Sequence, residues 1–355
     1  MENEGGEIPT ILTEKITLPD WETGVEAWQK MNVSDLCTFL GVSETTGIIT
    51  FNTTIDPLGV RDPWLDPEPH PDDIPLTLHW HQWIGIVKIM VSLFEGDPVL
   101  LMDAVGLGKT MQVVGVIALL DFYRTHKQTK GHFPGWFRKS SHNLTNFALT
   151  VITGDKRFQG MENIPNAPFL LVVPLALRAQ WEVELHRYLR KGSLEVIVYD
   201  SGSQRSGEFW QKHYHASQLE EGKRIILATA QAVANDGGNV IAASSRPIQD
   251  PPKFLKTHKR TIFDTKWLFV AVDEIHNARN TGRYFRSLWA LRQRSMGFVG
   301  MTATPVLTRP QVSRTPTDTL HKTERIAIRT SGISVGCLSC RTSTTSTSIR
   351  KWSAE

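Results

Sequence analysis

Pro98-Val99-Leu100-Leu101-Met102-Asp103-Ala104-Val105-Gly106-Leu107-Gly108-Lys109-Thr110 runs from an apolar block into a glycine turn. Five apolar residues form the block, and the apolar-periodic run Met111 through Leu120 leads out of the turn. Strand, glycine turn and helix in that order are the setting in which a short motif of this kind binds phosphate. The turn directs backbone N–H groups at phosphate oxygens, and the helix N-terminus adds a partial positive charge. Gly106 and Gly108 remove side chains that would block the approach. Lys109 can reach terminal phosphates, and the Thr110 hydroxyl can ligate Mg2+. The strict pattern has glycine where Asp103 stands, so the match is partial.

A second motif lies 160 residues on: the apolar run Trp267–Val272 ends in Asp273-Glu274-Ile275-His276. At the end of a strand on the same sheet, Asp273 would hold the Mg2+ that Thr110 also touches. Glu274 would orient or deprotonate an attacking water. Further apolar runs recur at Val99–Met102, Phe169–Val173, Glu195–Tyr199, Arg224–Thr229 and Phe298–Met301, several without polar interruption, as strands buried on both faces require. Helical patterns at Met111–Tyr123, Leu175–Leu189 and Arg283–Arg292 fall between some of them. The alternation predicts an α/β fold, a parallel sheet with helices on both faces, whose ligands sit beyond the C-terminal strand ends.

Four stretches break the pattern. Residues 1–75 are acidic and proline-rich, with Asp56–Pro75 reading as an extended linker and partial disorder expected around one small helical piece. His126–Gly160 and Gly237–Thr265 read as polar surface insertions in a domain spanning 76–305. Residues 306–355 are rich in Ser and Thr, lack hydrophobic periodicity and read as a disordered tail.

The chain has 355 residues, 40% hydrophobic and 21% charged, the composition of a globular protein. No apolar stretch approaches the roughly 20 residues needed to span a bilayer, so no membrane role is expected. Its three cysteines do not suggest a disulfide framework. The net charge of +3 conceals a split: residues 1–76 hold 15 acidic and 3 basic side chains, the remainder 21 acidic and 36 basic. A basic body of this kind suits a polyanionic partner. Lys253–Arg260 is either a nuclear signal or DNA-contacting strip, or a solvated loop. Cys337 and Cys340 lack the second pair that a zinc site needs, and the tryptophans at 181, 267 and 289 read as core.

Together these motifs resemble the first motor lobe of superfamily-two helicases, and within them the Swi/Snf-type chromatin-remodelling ATPases. That family's loop reads Asp-Glu-Met-Gly-Leu-Gly-Lys-Thr; here Asp103-Ala104-Val105 begins it and Gly106–Thr110 is intact. Asp273–His276 resembles its Asp-Glu-Ala-His box. Leu78-His79-Trp80-His81-Gln82 resembles the segment whose glutamine reads adenine, a role the resemblance gives to Gln82. Leu170–Leu175 with Gln180-Trp181 is similar to the first DNA-contacting motif, placing Pro174 there, and Ile226–Thr229 to the next, placing Thr229 near the nucleic-acid backbone. Gly300–Pro305 resembles the motif coupling hydrolysis to lobe movement, with His276 linking the metal site to Thr302 and Thr304 through hydrogen bonds.

The resemblance implies a RecA-like lobe with ATP and Mg2+ as cofactors. Asp103, Gly106, Leu107, Gly108, Lys109 and Thr110 would form its phosphate cradle, and Lys109, Asp273 and Glu274 its catalytic set. It implies double-stranded DNA or chromatin as a largely sequence-independent partner, remodelling-complex subunits as others, and the nucleus as the location. The likeness ends at Pro305, before any second lobe with its arginines. A truncated or mis-assembled chain, weakly active alone, is therefore expected, since a missing arginine finger can cost about 10³ to 10⁵ in rate. Two alternatives stand at this stage: a helicase of another superfamily-two branch acting on RNA or DNA, and a non-catalytic nucleotide- or DNA-binding remnant.

Overall fold

A computed structural model describes residues 24–141, 163–200, 208–242, 252–255, 260–278 and 282–303, and the backbone of 336–337. Beside a small antiparallel pair, β1 (Thr54–Ile55) and β2 (Ile74–Pro75), its centre is a parallel sheet of β3 (Val99–Leu101), β4 (Phe169–Val173), β5 (Glu195–Tyr199), β6 (Arg224–Thr229), β7 (Trp267–Val272) and β8 (Ser295–Met301). The spatial order is β5-β6-β4-β7-β8-β3, with the two-residue β9 (Gly336–Cys337) beside β3. Every residue of β4 and β7 is buried. Alternate side chains serve opposite faces, as a strand's two-residue period dictates: Phe169, Leu171 and Val173 join one core, Leu170 and Val172 the other.

The helices divide accordingly. α1 (Val33–Leu40), α2 (Trp80–Glu95), α3 (Lys109–Lys130) and α4 (Arg178–Tyr188) contribute to the first core, α5 (Ala230–Val240) and α6 (Arg283–Arg294) to the second. A parallel sheet covered in this way is what the apolar runs predict, and it is the RecA-like architecture that the resemblance implies. α2 is buried from Gln82 through Phe94. Its thin polar stripe, His81, Lys88, Ser92 and Glu95 at helical spacing, is itself buried at Lys88 and Ser92, so the helix does not read as a surface helix. Among the described residues no helix is long and apolar enough to cross a membrane.

The chain departs from the sequence reading at three places. Asp56–Pro75, read as an extended linker, is a strap held against the end of α4. Trp64 stacks on His186 at 4.0 Å and donates its indole N–H to the Leu189 carbonyl at 2.7 Å. Asn52 donates to the carbonyls of His186 and Arg187 at 3.1 and 2.9 Å, satisfying acceptors that a helix end leaves open. Within the strap, Arg61 bridges Asp56 and Asp73. His126–Gly160 does not begin as a surface excursion: residues 126–130 complete α3, and Phe133 and Phe137 are buried against Phe94. Gly237–Thr265 begins inside α5, where a Cβ at Gly237 would meet Ser287 Oγ of α6 at 1.9 Å. Glycine here lets two helices approach closely, not a loop turn. Apart from β9, residues 304–355 lie outside the described residues, as do residues 1–23.

One buried carboxylate gives the second core a pH dependence. Asp236 of α5 is fully buried, accepts a hydrogen bond from the Tyr199 hydroxyl, and keeps its other oxygen without a partner. Burial raises its pKa to about 6, against which the Tyr199 bond acts. The unfolded value is about 3.9, so the folded chain holds the proton more tightly. The contribution to stability is full below pH about 4 and is lost as pH rises through about 6. Asp236→Asn keeps the acceptor and removes the charge. In urea denaturation its stability relative to the parent chain should rise between pH 5 and pH 7.5 by about 1.4 kcal/mol, half of what a two-unit shift implies over the whole range. A difference independent of pH would contradict this.

Candidate nucleotide site

In a parallel sheet the C-terminal strand ends share one rim. The loop after β3 carries Asp103 to Thr110, and the loop after β7 carries Asp273 and Glu274. Leu101 pairs with Met301, and Val272 with Gly300, so Asp273 stands level with the end of β3. Only β8 separates the two strands, a lateral gap of about 10 Å at ordinary strand spacing.

The glycine loop is built by backbone conformation. Gly106 and Gly108 have φ of 84° and 78°, in the left-handed region, and a Cβ on Gly108 would meet Gln82 Nε2 at 2.2 Å. Gly108 then caps α3, whose first two residues are Lys109 and Thr110. The Lys109 ammonium donates to the carbonyls of Asp103 and Ala104 at 2.8 and 3.0 Å, and so stands over the loop. Asp103 does not obstruct the glycine position it occupies in the motif: its Oδ2 accepts from Gln112 Nε2 at 2.7 Å, on the fully buried face of α3. Nothing in the sequence motif points to Gln112, because the contact depends on a helix turn folding back beneath the loop.

Gln82 lies under the same loop. Its Oε1 accepts from the His79 backbone N–H at 2.9 Å, and its Nε2 approaches the Leu107 carbonyl at 3.5 Å. An amide offers two N–H donors and two lone pairs, so these two contacts leave one of each unengaged. His81 is a neighbour that sequence reasoning passed over, with Nε2 3.1 Å from the Leu107 carbonyl.

At the end of β7 the Asp273 carboxylate is fixed from two sides. Oδ1 accepts from the Glu274 backbone N–H and Oδ2 from the Trp181 indole N–H, both at 2.9 Å. Trp181, read as core, is indeed buried, but its polar edge meets the acidic box. Glu274 has φ 47°, a left-handed backbone found at no other non-glycine position among the described residues. Such a conformation costs on the order of 1 kcal/mol. Glu274 Oε2 comes within 3.0 Å of His276 Nδ1 yet is buried without a hydrogen-bond partner. The same imidazole nitrogen lies 2.9 Å from Thr302 Oγ1. Thr302 follows β8, and its backbone N–H donates to Leu101 of β3 at 3.0 Å. A polar chain thus crosses the rim from Glu274 through His276 and Thr302 to the strand that leads into the glycine loop.

Thr229 and Pro174 end β6 and β4 at this rim, where Val173 and Thr229 pair. The Thr229 hydroxyl is committed to capping α5 by accepting from the Ala232 N–H at 3.2 Å, and the residue is 2% exposed. It positions that helix terminus instead of presenting its own side chain. Thr304 lies outside the described residues.

These features fit a magnesium-bound nucleoside triphosphate. Two left-handed glycines open the loop, a lysine stands over it, and the Asp273 and Glu274 carboxylates end the strand beyond β8. The class is a RecA-like lobe with such a rim. Residues 81–311 match the family model described as SNF2-related domain, and the chain belongs to that family, whose domain is a remodeller-type ATPase. Among curated relatives, Protein CHROMATIN REMODELING 5 of Arabidopsis thaliana is 24% identical over 209 residues, 58% of this chain and 8% of that protein. CHD3-type chromatin-remodeling factor CHR7 of the same plant is 22% identical over 210 residues, 59% of this chain and 12% of that protein. The chain thus spans about a tenth of the length of these relatives. A solved structure, the Sulfolobus solfataricus SWI2/SNF2 ATPase core in complex with dsDNA, is similar at a TM-score of 0.38 and 17% identity, over 71% of this chain and 36% of that one.

Proposed function

We propose that the described lobe binds Mg-ATP at this rim and serves as the first motor lobe of a duplex-DNA translocase of the chromatin-remodelling kind. The observation that carries the reading is the arrival of Lys109, Thr110, Asp273 and Glu274 at one rim, one strand apart, with the His276–Thr302 pair between them. The bound nucleotide supplies a triphosphate whose cleavage releases the free energy for movement. Lys109 would exchange its two loop carbonyls for phosphate oxygens, a stronger, charge-assisted pairing. The backbone N–H groups from Gly106 to Thr110 would hold the phosphates, with Asp103 anchoring the loop. Thr110 and Asp273 would hold Mg2+. Glu274, whose Oε2 faces the His276 imidazole, would orient the attacking water. His276, Thr302 and Thr304 would pass the change toward lobe movement, and Gln82 would face adenine. The cluster contains a lysine and no arginine, so turnover by these residues alone is expected to be slow.

Pro174 and the α5 terminus that Thr229 caps would lie along the DNA backbone. The charge balance supports a polyanion, with 36 basic against 21 acidic side chains beyond residue 76. Chromatin, partner subunits of a remodelling complex and the nucleus follow from the same reading. Fluorescence anisotropy of labelled duplex DNA across a salt series tests it. For about six phosphate contacts, affinity should fall about 10³-fold between 50 and 200 mM salt, with little dependence on sequence. A flat salt response, or preference for RNA duplex over DNA duplex, would remove the DNA assignment.

A further inference from the structure

Asp273 is oriented by two donors of different origin. The Glu274 N–H is part of its own loop and moves with β7, whereas the Trp181 indole belongs to α4. Trp181 is the fourth residue of that helix and 4% exposed, so its ring has little freedom to turn independently of the backbone. α4 continues without a break from the 3-10 turn Leu175–Leu177, which follows Pro174; Arg178, in helical conformation, ends one and begins the other. The rod therefore has one end on the rim, where Leu175 is 67% exposed, and the Asp273 contact two turns in. The Tyr284 hydroxyl of α6 is buried without a hydrogen-bond partner. A carboxylate held by one donor on its own loop and one on a separate helix is reoriented when that helix shifts, which is what a coupling element requires.

We infer that Trp181 is a positioning residue that couples a polyanion docking on the Pro174–Leu177 turn to the orientation of the metal-holding carboxylate of Asp273. A load on the turn moves the α4 rod, the indole N–H moves with it, and the Asp273 carboxylate rotates. The inference rests on the nucleotide and DNA reading above and adds the residue through which the two sites communicate.

The test measures coupling, not activity. With the full chain, the affinity of a fluorescent ATP analogue with Mg2+ is determined with and without saturating duplex DNA, and duplex affinity with and without saturating nucleotide. The two ratios must agree, because linkage is reciprocal. The parent chain should give a ratio of about five-fold or more, and Trp181→Phe, which keeps the ring and loses the N–H, a ratio below about two-fold while both ligands still bind. Trp267→Phe is the control for general loosening. It removes an indole bond to the Ile262 carbonyl, 2.9 Å long, at the opposite end of the same strand, and should leave the ratio at the parent value. Parent-like coupling in Trp181→Phe, or equal loss in Trp267→Phe, would overturn the inference. A parent chain that binds both ligands without coupling would overturn it alone; one that fails to bind Mg-nucleotide or DNA would overturn the functional reading beneath it.

Discussion

Arg124→Ala should lower the melting temperature by about 6–20 °C, the shift expected for a loss of about 3–5 kcal/mol in a domain of this size. Arg124 is 2% exposed on α3, far along the helix from the glycine loop. Its guanidinium donates to Asp121 at 3.3 Å, to Asn166 ahead of β4 at 3.2 Å and to Glu220 ahead of β6 at 2.6 Å. Asn163 donates back to its carbonyl at 3.1 Å, and Asn166 accepts from Gly222 N–H at 2.7 Å. The network therefore fastens α3 to the entry ends of two neighbouring strands. Burial raises the Asp121 carboxyl pKa, against which Lys223 and Arg124 act. Removing the guanidinium leaves Asp121 buried beside only Lys223, whose ammonium is 3.8 Å away. An uncompensated buried charge is the costly case. Removing both partners should cost less than the sum of the single losses, which a double-mutant cycle in thermal denaturation would reveal. A melting temperature within about 2 °C of the parent would mean that the network is solvated and does not bind α3 to the sheet.

Lys109→Ala should weaken ATP about 10- to 100-fold, the range for charge-assisted hydrogen bonds worth about 1.5–3 kcal/mol. The fold should tolerate the change, because the carbonyls of Asp103 and Ala104 that lose their donor lie at an exposed to half-exposed loop where water can replace it. The loss should persist when Mg2+ is chelated, since the lysine acts on phosphate directly. Asp273→Asn should differ: its effect should appear only with the metal present. Titration of a fluorescent ATP analogue with and without Mg2+ separates the two. Equal affinity of the parent and Lys109→Ala chains would detach nucleotide binding from this loop.

The sheet was legible because four of its strands, β4 to β7, coincide with the apolar runs in the sequence: a strand covered on both faces needs no alternation and reads as an unbroken apolar block. β8 extends three residues earlier than its apolar core because Ser295 and Gly297 pair with β7 as well as any other backbone does. α2 and α5 were not legible, for opposite reasons. α2 is dominated by apolar residues and buries even Lys88 and Ser92 of its thin polar stripe; α5 contains Gly237-Gly238, which read as a loop until the approach of α6 is known. The strap over α4 was invisible because its bonds reach backbone carbonyls more than 120 positions away, and every residue has a carbonyl. At the rim, the identities of Lys109, Thr110, Asp273 and Glu274 were readable from spelling and context. The conformation of Glu274 and the contacts of Gln112 and Trp181 were not, since each depends on elements that meet only after the sheet has formed.

The most direct test is electron paramagnetic resonance of Mn2+, standing in for Mg2+, titrated into the full chain with ATP. If Lys109, Thr110 and Asp273 surround a single metal-bound triphosphate, the chain should bind one Mn2+ only when ATP is present, and both Asp273→Asn and Lys109→Ala should release it. Mn2+ held without ATP, or held equally well after Asp273→Asn, would contradict the site.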